Sequence, residues 1–256
     1  MATTLISGYL KRLRLPTIAK CYERLAQEAQ TNQASFQDYL CCLLEQEVES
    51  RDASTRKRRI SEAKFPTLKT LDSFNFDEIP NLDKNLVLKL FKGQYLLERE
   101  NVIFIGGQGT GKTHLGIALG IQACHQGQRV RFFSTADLIH QLLEARDEKQ
   151  LLKYQEQLLR YDLVILDELG MLDSSMNYSQ EGSSLLFQAI SARYERLSTL
   201  ITTNLDFDEW GGLFGSKKLT TALLDRLTHR CHIVEANGES YRFKESVRRK
   251  QKKKEK

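Results

Sequence analysis

A glycine-rich turn near the middle of the chain has the residue types and spacing that bind a chain of phosphates. Residues 106–113 read Gly-Gly-Gln-Gly-Thr-Gly-Lys-Thr, which is the G-x-x-x-x-G-K-T pattern of the P-loop. Its glycines let the backbone curl, so that several N–H groups can face one anion. We predict that all eight residues bind a nucleoside triphosphate: Gly106, Gly107, Gln108, Gly109, Thr110, Gly111, Lys112 and Thr113.

Two of these side chains have distinct predicted tasks. Lys112 would contact the β- and γ-phosphates as a positive charge, and the Thr113 hydroxyl would bind Mg²⁺. The flanking segments fit the same motif, because residues 101–105 form an apolar run typical of a buried strand and residues 114–125 have helical composition. The strand, the glycine turn and the helix occur in the order that a P-loop requires.

A pair of carboxylates ends the next strongly apolar run. Residues 161–168 read Tyr-Asp-Leu-Val-Ile-Leu-Asp-Glu, which predicts a buried strand with Asp167 and Glu168 at its carboxyl end. Parallel sheets bind their ligands at that end. We expect Asp167 to hold Mg²⁺ together with Thr113, and Glu168 to polarise an attacking water. A kinase should not activate water, so Glu168 favours hydrolysis over phosphoryl transfer to a small molecule.

Three more strand-like runs complete the predicted sheet. They cover residues 128–133, 198–204 and 231–234, and with the two strands above they alternate with helical segments. This pattern predicts an α/β fold with a parallel five-stranded sheet flanked by helices. Asn204 ends one of the runs, where it could hold a water beside the γ-phosphate or could be a plain turn asparagine.

The first 65 residues predict a small, separate all-α domain. One helix begins at Ser35, with Asp38 as its capping partner, and continues through the basic residues to about Ala63. Its apolar stripe would form either internal core or a partner surface: Phe36, Tyr39, Leu40, Leu43, Leu44 and Val48. Residues 66–82 predict an extended, weakly structured linker, whose Phe74 and Phe76 would pack either beside an adenine or against the core.

Positive charge is concentrated in two places. The chain has a net charge of +5, and basic residues crowd both residues 51–59 and residues 248–256. Clustered lysine and arginine bind DNA phosphates, although a solvated helix face is the alternative for the first cluster. The predicted DNA contacts are Arg51, Arg56, Lys57, Arg58, Arg59, Arg248, Arg249 and Lys250.

Composition excludes several other classes of protein. The sequence has no 18-residue apolar run and no signal-type leader, so neither a membrane span nor secretion is expected. Its five cysteines form no C-x-x-C pair. They are typical of reduced thiols in a cytoplasmic protein.

Taken together, these motifs resemble the AAA+ ATPases of the bacterial helicase-loader branch. The motifs are Gly106–Thr113, Asp167-Glu168, Asn204, Asp225-Arg226 and Ser240-Tyr241-Arg242. The similarity is greater to a sister group, the IstB-like transposition helper ATPases. That group is indicated by residues 10–15, Phe36-x-x-Tyr39-Leu40, Arg58-Arg59 and the Phe65-Pro66 to Phe74-x-Phe76 segment.

The resemblance implies roles that spacing alone does not. Asn204 would be sensor 1, Arg226 an arginine finger reaching a neighbouring subunit's ATP site, and Arg242 the sensor 2 arginine. With Lys112, Asp167 and Glu168 they form the predicted catalytic set. About 20 residues follow the last strand, so we expect no separate lid domain. The expected layout is helical domain 1–65, linker 66–82, AAA+ ATPase domain 83–245 and basic tail 246–256.

The expected function follows from the resemblance. It is ATP- and Mg²⁺-dependent assembly of a homo-oligomer on double-stranded DNA, with ATP sites at subunit interfaces, to present target DNA to the transposase of the same element. Such a protein would be nucleoid-associated in a bacterial cytoplasm. A DnaC-like replicative helicase loader is the alternative, and a P-loop small-molecule kinase is a remote one.

Overall fold

The computed structural model describes residues 2–170, 179–214, 217–238, 240 and 241. The chain divides into two compact units, Met1–Arg58 and Arg59–Lys256. This division lies inside a helix, a few residues before the predicted limit at residue 65.

The first unit consists of helices. They are α1 (Ala2–Arg12), α2 (Pro16–Thr31) and α3 (Phe36–Ala63), the last of which continues into the second unit. Pro16 occupies the first position of α2, where its missing N–H is not needed. The predicted cap of α3 is confirmed, because the Asp38 N–H donates to Ser35 Oγ at 3.1 Å and the Ser35 N–H donates to Asp38 Oδ2 at 3.2 Å.

The apolar stripe of α3 is only partly core. Leu43 packs with Ile18, Cys21 and Leu25 in a small buried cluster. Four other members of the stripe, spaced one turn apart, are 48–92% exposed: Phe36, Leu40, Leu44 and Val48. One edge of the stripe is therefore buried within the unit, and the other edge is exposed to solvent.

Glu47 is a charged residue of α3 that is buried. It is 3% exposed, and its Oε2 accepts the N–H groups of Thr17 and Ile18 in the first turn of α2. Burial alone would raise the pKa of Glu47, but the hydrogen bonds from Ile18, Arg51 and Thr17 outweigh it and lower that pKa. A glutamate on α3 thus caps the start of α2, where the N-cap residue itself is the apolar Leu15.

The second unit is built on a parallel five-stranded sheet, as predicted. Its strands are β1 (Asn101–Ile105), β2 (Val130–Ser134), β3 (Leu163–Leu169), β4 (Ser198–Thr203) and β5 (Cys231–Glu235), in the order β2-β3-β4-β1-β5. The described helices of this unit, besides the end of α3, are α4 (Lys84–Phe91), α5 (Gln94–Leu97), α6 (Lys112–His125), α7 (Thr135–Asp147), α8 (Leu151–Leu158), α9 (Gln180–Arg193), α10 (Trp210–Leu213) and α11 (Lys217–Thr228).

Two apolar cores enclose the sheet. Val102 and Phe104 of β1 pack into one core with α6, whereas Ile103 between them packs into the other with α7, α9 and α11. Strand β3 alternates in the same way. Because side chains of a strand point to opposite faces in turn, a strand covered on both sides reads as a continuous apolar run.

The pairing of β3 with β4 is interrupted once. Leu166 pairs with Ile201, but the next recorded pair is Leu169 with Thr203. Strand β3 therefore contains one residue more than β4 over this step, which is a β-bulge. Asp167 and Glu168 both lie opposite the single residue Thr202.

Residues 66–82 are more ordered than a weakly structured linker. They contain two 3₁₀ turns, Leu71–Ser73 and Phe76–Glu78, and Ile79 and Leu82 are buried. Phe74 and Phe76 pack edge to face, with ring centroids 5.0 Å apart, against the α6 side of the core. No helix in the described parts of the chain has both the length and the apolar content that crossing a bilayer requires.

Candidate functional site

The glycine turn joins β1 directly to the first turn of α6. Gly111 forms the N-terminal cap of α6 with φ of 88°, and Gly106 and Gly109 also have positive φ, 145° and 75°. These values favour glycine, because a Cβ clashes with the backbone there. The loop consequently presents a helix N-terminus and inward N–H groups to one small volume, as an anion site requires.

Two residues that follow β5, and Phe74 of the 66–82 segment, pack onto the same three glycines. A Cβ on Gly106 would lie within 3 Å of the Ala236 carbonyl, one on Gly109 within 3 Å of Ser240 Oγ, and one on Gly111 within 3 Å of the Phe74 ring. Gly107 differs from these three glycines. Its φ is not positive, and a Cβ placed on it would lie 3.8 Å from its nearest neighbour, Thr110 Cγ2. The loop is therefore held in shape from outside as well as by its own backbone.

Lys112 lies within the curl of the loop. Its Nζ donates to the carbonyl oxygens of Gly106 and Gly107, both at 2.6 Å. Thr110 is fully buried and donates to the Gly107 carbonyl at 2.9 Å. The ammonium group is thus already placed beside the backbone that would surround a phosphate.

Asp167 accepts hydrogen bonds from three threonines. Thr113 and Thr202 both donate to Asp167 Oδ1, at 2.9 and 2.5 Å, and Thr135 donates to the Asp167 backbone carbonyl at 2.9 Å. Asp167 itself is 6% exposed. The structure therefore brings together the two residues predicted to hold Mg²⁺, although Thr113 is on α6 and Asp167 is 54 residues away on β3.

Glu168 and Asn204 lie at the same end of the sheet. Glu168 is exposed and adopts φ of 58°, and its N–H donates to Thr202 Oγ1 at 3.0 Å. Asn204 Oδ1 is buried and accepts no hydrogen bond from the described residues. A buried amide oxygen of this kind calls for a water or ligand donor, which fits the predicted water-holding role.

These groups border one cavity of about 460 Å³. It is lined by residues 108–113 together with Glu168 and Asn204, and also by Phe74, Asn75 and Ile79 from the 66–82 segment. Phe74 therefore both packs on the core and lines the cavity, so the two interpretations of this residue are compatible. Tyr241 also borders the cavity, and its N–H donates to the Gly109 carbonyl at 3.1 Å.

His114, next to the P-loop threonine, joins the loop to the 66–82 segment. Its Nε2 lies 2.9 Å from the Thr70 carbonyl oxygen, which can only accept, so Nε2 carries the proton. Burial lowers the pKa of His114, an effect opposed by the bond to Thr70 and reinforced by Lys69. A neutral imidazole thus fixes this wall of the cavity.

The donor set fits Mg²⁺ with a triphosphate. Hydroxyl and carboxylate oxygens are the ligands that this cation prefers, and it usually keeps several waters and phosphate oxygens as well. Within the described ranges, no group of three or more His, Cys, Asp or Glu side chains could hold a metal by itself. Thr113 and Asp167 would therefore hold the ion only in part, and the nucleotide would supply the remainder.

Arg226 lies outside the cavity of its own chain. Its Nη1 donates to Ser191 Oγ, and its guanidinium carbon is 4.9 Å from the centroid of the Phe187 ring. Both partners are on α9, so α9 holds the guanidinium group of this α11 arginine. Arg242, Arg248, Arg249 and Lys250 lie outside the described residues.

The basic residues around α3 differ in their surroundings. Arg51 donates through Nε to Glu47 Oε1 at 2.9 Å and also bonds to the Arg14 carbonyl, so it serves the fold of the first unit. Lys57 and Arg58 are exposed, and Arg56 is half-buried. Arg59 lies in the second unit, with Nη1 close to Gly127.

Sequence reasoning missed Thr202 and Thr135. Thr202 precedes Asn204 by two positions, but β4 reads Ser-Thr-Leu-Ile-Thr-Thr, so no local signal distinguishes it from the other hydroxyls of the strand. The local sequence around Thr135 indicates only a helix cap, a role that Ser134 fills by accepting the Asp137 N–H at 3.1 Å.

The chain is similar over most of its length to known proteins. A family model described as IstB-like ATP binding protein matches residues 8–249. The chain is 38% identical over 236 residues to an ATP-binding protein of insertion sequence IS21 from Pseudomonas aeruginosa, covering 92% of this chain and 88% of that protein. It is 35% identical over 250 residues to an ATP-binding protein of insertion sequence IS5376 from Geobacillus stearothermophilus, covering 98% of each.

Among solved structures, the AMPPCP-bound DnaA of Aquifex aeolicus superposes with a TM-score of 0.54 at 22% identity. The similarity covers 74% of this chain and 56% of that one. At this identity the likeness concerns the fold alone.

Proposed function

The chain belongs to the IstB-like ATP binding protein family, and from that premise we propose that it is an ATP-driven, DNA-binding helper of insertion-sequence transposition. Its AAA+ ATPase unit hydrolyses ATP to ADP and phosphate. In the proposal, ATP assembles subunits on double-stranded DNA in the bacterial nucleoid, and the assembly presents that DNA to the transposase of the same element. The family membership favours this function over a replicative helicase loader or a small-molecule kinase.

The observation that carries the proposal is the carboxylate pair at the end of β3. Asp167 is bonded to Thr113 of the P-loop helix, while Glu168 borders the same cavity as an exposed carboxylate. One carboxylate is thus engaged where a cation would bind, and the next remains available as a base. A site that holds a base beside the cation is suited to hydrolysis.

The remaining residues of the cavity take complementary tasks. The loop N–H groups and Lys112 bind the phosphates, and Asn204 together with Glu168 orients the attacking water. Mg²⁺, held in part by Thr113 and Asp167, would neutralise charge on the phosphate oxygens. The 66–82 segment also lines the cavity, where Phe74 and Ile79 offer apolar surface to a base.

Arg226 supports assembly through the ATP site. It lies outside its own chain's cavity yet is held in place by Ser191 and Phe187, as a residue serving a neighbouring subunit would be. An arginine supplied in trans stabilises charge in the transition state and is worth about 10³–10⁵ in turnover. Hydrolysis would then depend on contact between subunits.

The decisive experiment measures DNA binding and particle mass together. Wild-type protein is mixed with duplex DNA in Mg²⁺ buffer, with and without ATP, and followed by fluorescence anisotropy and light scattering. We expect ATP to increase both, and Lys112→Ala to abolish the increase because the phosphates lose their cation. If ATP leaves both the mass and the DNA affinity of the wild-type protein unchanged, the proposal fails. Co-purification with the transposase rather than with a replicative helicase tests the partner.

A further inference from the structure

Thr202 occupies the one position in β4 that faces two residues of β3. In a regular strand Asp167 and Glu168 would point to opposite faces of the sheet, since successive side chains alternate. The bulge between Leu166 and Leu169 interrupts that alternation, and Glu168 takes φ of 58° within it. Bulges next to active sites re-aim side chains in this way.

The hydroxyl of Thr202 forms hydrogen bonds with both residues of the bulge, Asp167 and Glu168. It donates to Asp167 Oδ1 at 2.5 Å and accepts the Glu168 N–H at 3.0 Å. A hydroxyl carries one donor proton and also has acceptor lone pairs, so a single side chain can do both. At the bulge, the Glu168 N–H therefore donates to a side-chain hydroxyl of β4 instead of to a backbone carbonyl.

The surroundings leave Thr202 little freedom to move. It is 1% exposed, and its Cγ2 would lie 3.5 Å from a Cβ placed on Gly116 of α6. A methyl group facing the helix and a hydroxyl facing β3 together fix the rotamer. The position therefore suits a residue that has a methyl and a hydroxyl on the same carbon.

From these contacts we infer that Thr202 is a positioning residue, which holds the cation-binding carboxylate and the water-activating carboxylate at one end of β3 in a fixed relation to each other. It acts through Asp167 and Glu168. The inference rests on the proposed ATP hydrolysis for its kinetic consequence, but its structural basis is independent of any nucleotide.

The kinetic test compares three variants of the full chain. Thr202→Val keeps the shape and removes the hydroxyl, Thr202→Ser keeps the hydroxyl, and Thr199→Val alters a buried threonine of β4 whose hydroxyl contacts Arg193 at 3.4 Å instead. We expect Thr202→Val to lower kcat for ATP about tenfold to a hundredfold, with KM changed less than about threefold. Thr202→Ser should recover most of the loss, and Thr199→Val should turn over like the wild type.

A second measurement needs no nucleotide. Hydrogen exchange at the Glu168 amide should be faster in Thr202→Val than in the wild type, and close to wild type in Thr202→Ser, because that amide donates to the Thr202 hydroxyl. Unchanged kcat in Thr202→Val, or a serine variant as slow as the valine variant, overturns the inference. If the wild type hydrolyses no ATP, the proposed function fails, and the amide exchange alone then decides the role of Thr202.

Discussion

Individual oxygen atoms determine the chemistry at the end of β3. Asp167 Oδ1 accepts two hydroxyl protons, from Thr113 and from Thr202, so its lone pairs are directed before any ligand arrives. Hydrogen bonds to a carboxylate are among the stronger ones in proteins. The carboxylate that would help to hold the cation is therefore preorganised.

The P-loop glycines provide a residue-scale prediction. Gly109→Ala should lower the free energy of unfolding by about 1–3 kcal/mol, because alanine is strained at positive φ and its Cβ would overlap Ser240. It should also weaken ATP binding by deforming the loop. Denaturant unfolding and titration with a fluorescent ATP analogue measure the two effects.

Gly107→Ala is the matched control within the same loop. Its φ is not positive and the new Cβ would meet nothing closer than 3.8 Å. We expect a change in the free energy of unfolding within about 0.5 kcal/mol. Equal losses of stability in the two variants would contradict the account of how the loop is held.

At the scale of elements, α3 combines several kinds of surface. Leu43 and Glu47 are buried within the first unit. The other edge of the stripe is exposed and consists of Phe36, Leu40, Leu44 and Val48. The later turns carry the basic residues. Among these, Arg51 bonds to Glu47, and the DNA contacts that we test are Lys57 and Arg58, which are exposed, and the half-buried Arg56.

The basic residues of α3 lead to a prediction about DNA binding. Replacing Arg56, Lys57 and Arg58 by glutamine should weaken duplex binding similarly for all sequences, because interactions with phosphate carry no base information. The slope of log affinity against log salt should become shallower by about one for each phosphate that is no longer neutralised. Anisotropy titrations at several salt concentrations measure both quantities.

The control removes the same charge elsewhere. Lys89, Lys92 and Lys153 are exposed lysines of the second unit, and their replacement by glutamine should leave the salt slope almost unchanged. A similar reduction in both triple variants would show that only net charge matters. It would remove α3 as the DNA-binding element.

At the scale of the whole molecule, the proposed ATP site is shared between subunits. Glu168→Gln removes the base of a subunit's own site, and Arg226→Ala removes the group offered to its neighbour. Each variant alone should hydrolyse ATP at least about a hundredfold more slowly than the wild type. ATP binding should persist in both, since neither residue belongs to the P-loop.

Mixing the two variants tests the sharing directly. In a mixed assembly some interfaces combine an intact Glu168 from one subunit with an intact Arg226 from the next, so turnover should rise above that of either variant. Steady-state phosphate release at several mixing ratios measures this. No recovery at any ratio, with assembly intact by light scattering, would remove Arg226 as a trans-acting group.

Local sequence was sufficient for much of the fold and the phosphate site. The P-loop, the apolar strands and the carboxylates that end β3 are contiguous patterns, because strand burial and glycine turns depend on near neighbours. The five-stranded parallel sheet was predictable for the same reason. The pairing of Thr113 with Asp167 was also expected, since parallel strands end at the same edge of a sheet.

The supporting contacts, in comparison, emerge only from the three-dimensional fold. The bulge opposite Thr202, the packing of Ser240 and Phe74 on the loop glycines, and the burial of Glu47 each join residues more than 25 positions apart. Such contacts depend on strand register and on how elements pack. A shift of the register by one residue would change them without altering the local sequence pattern. The sequence thus specified which groups perform the chemistry, and the folded chain determined what holds them in place.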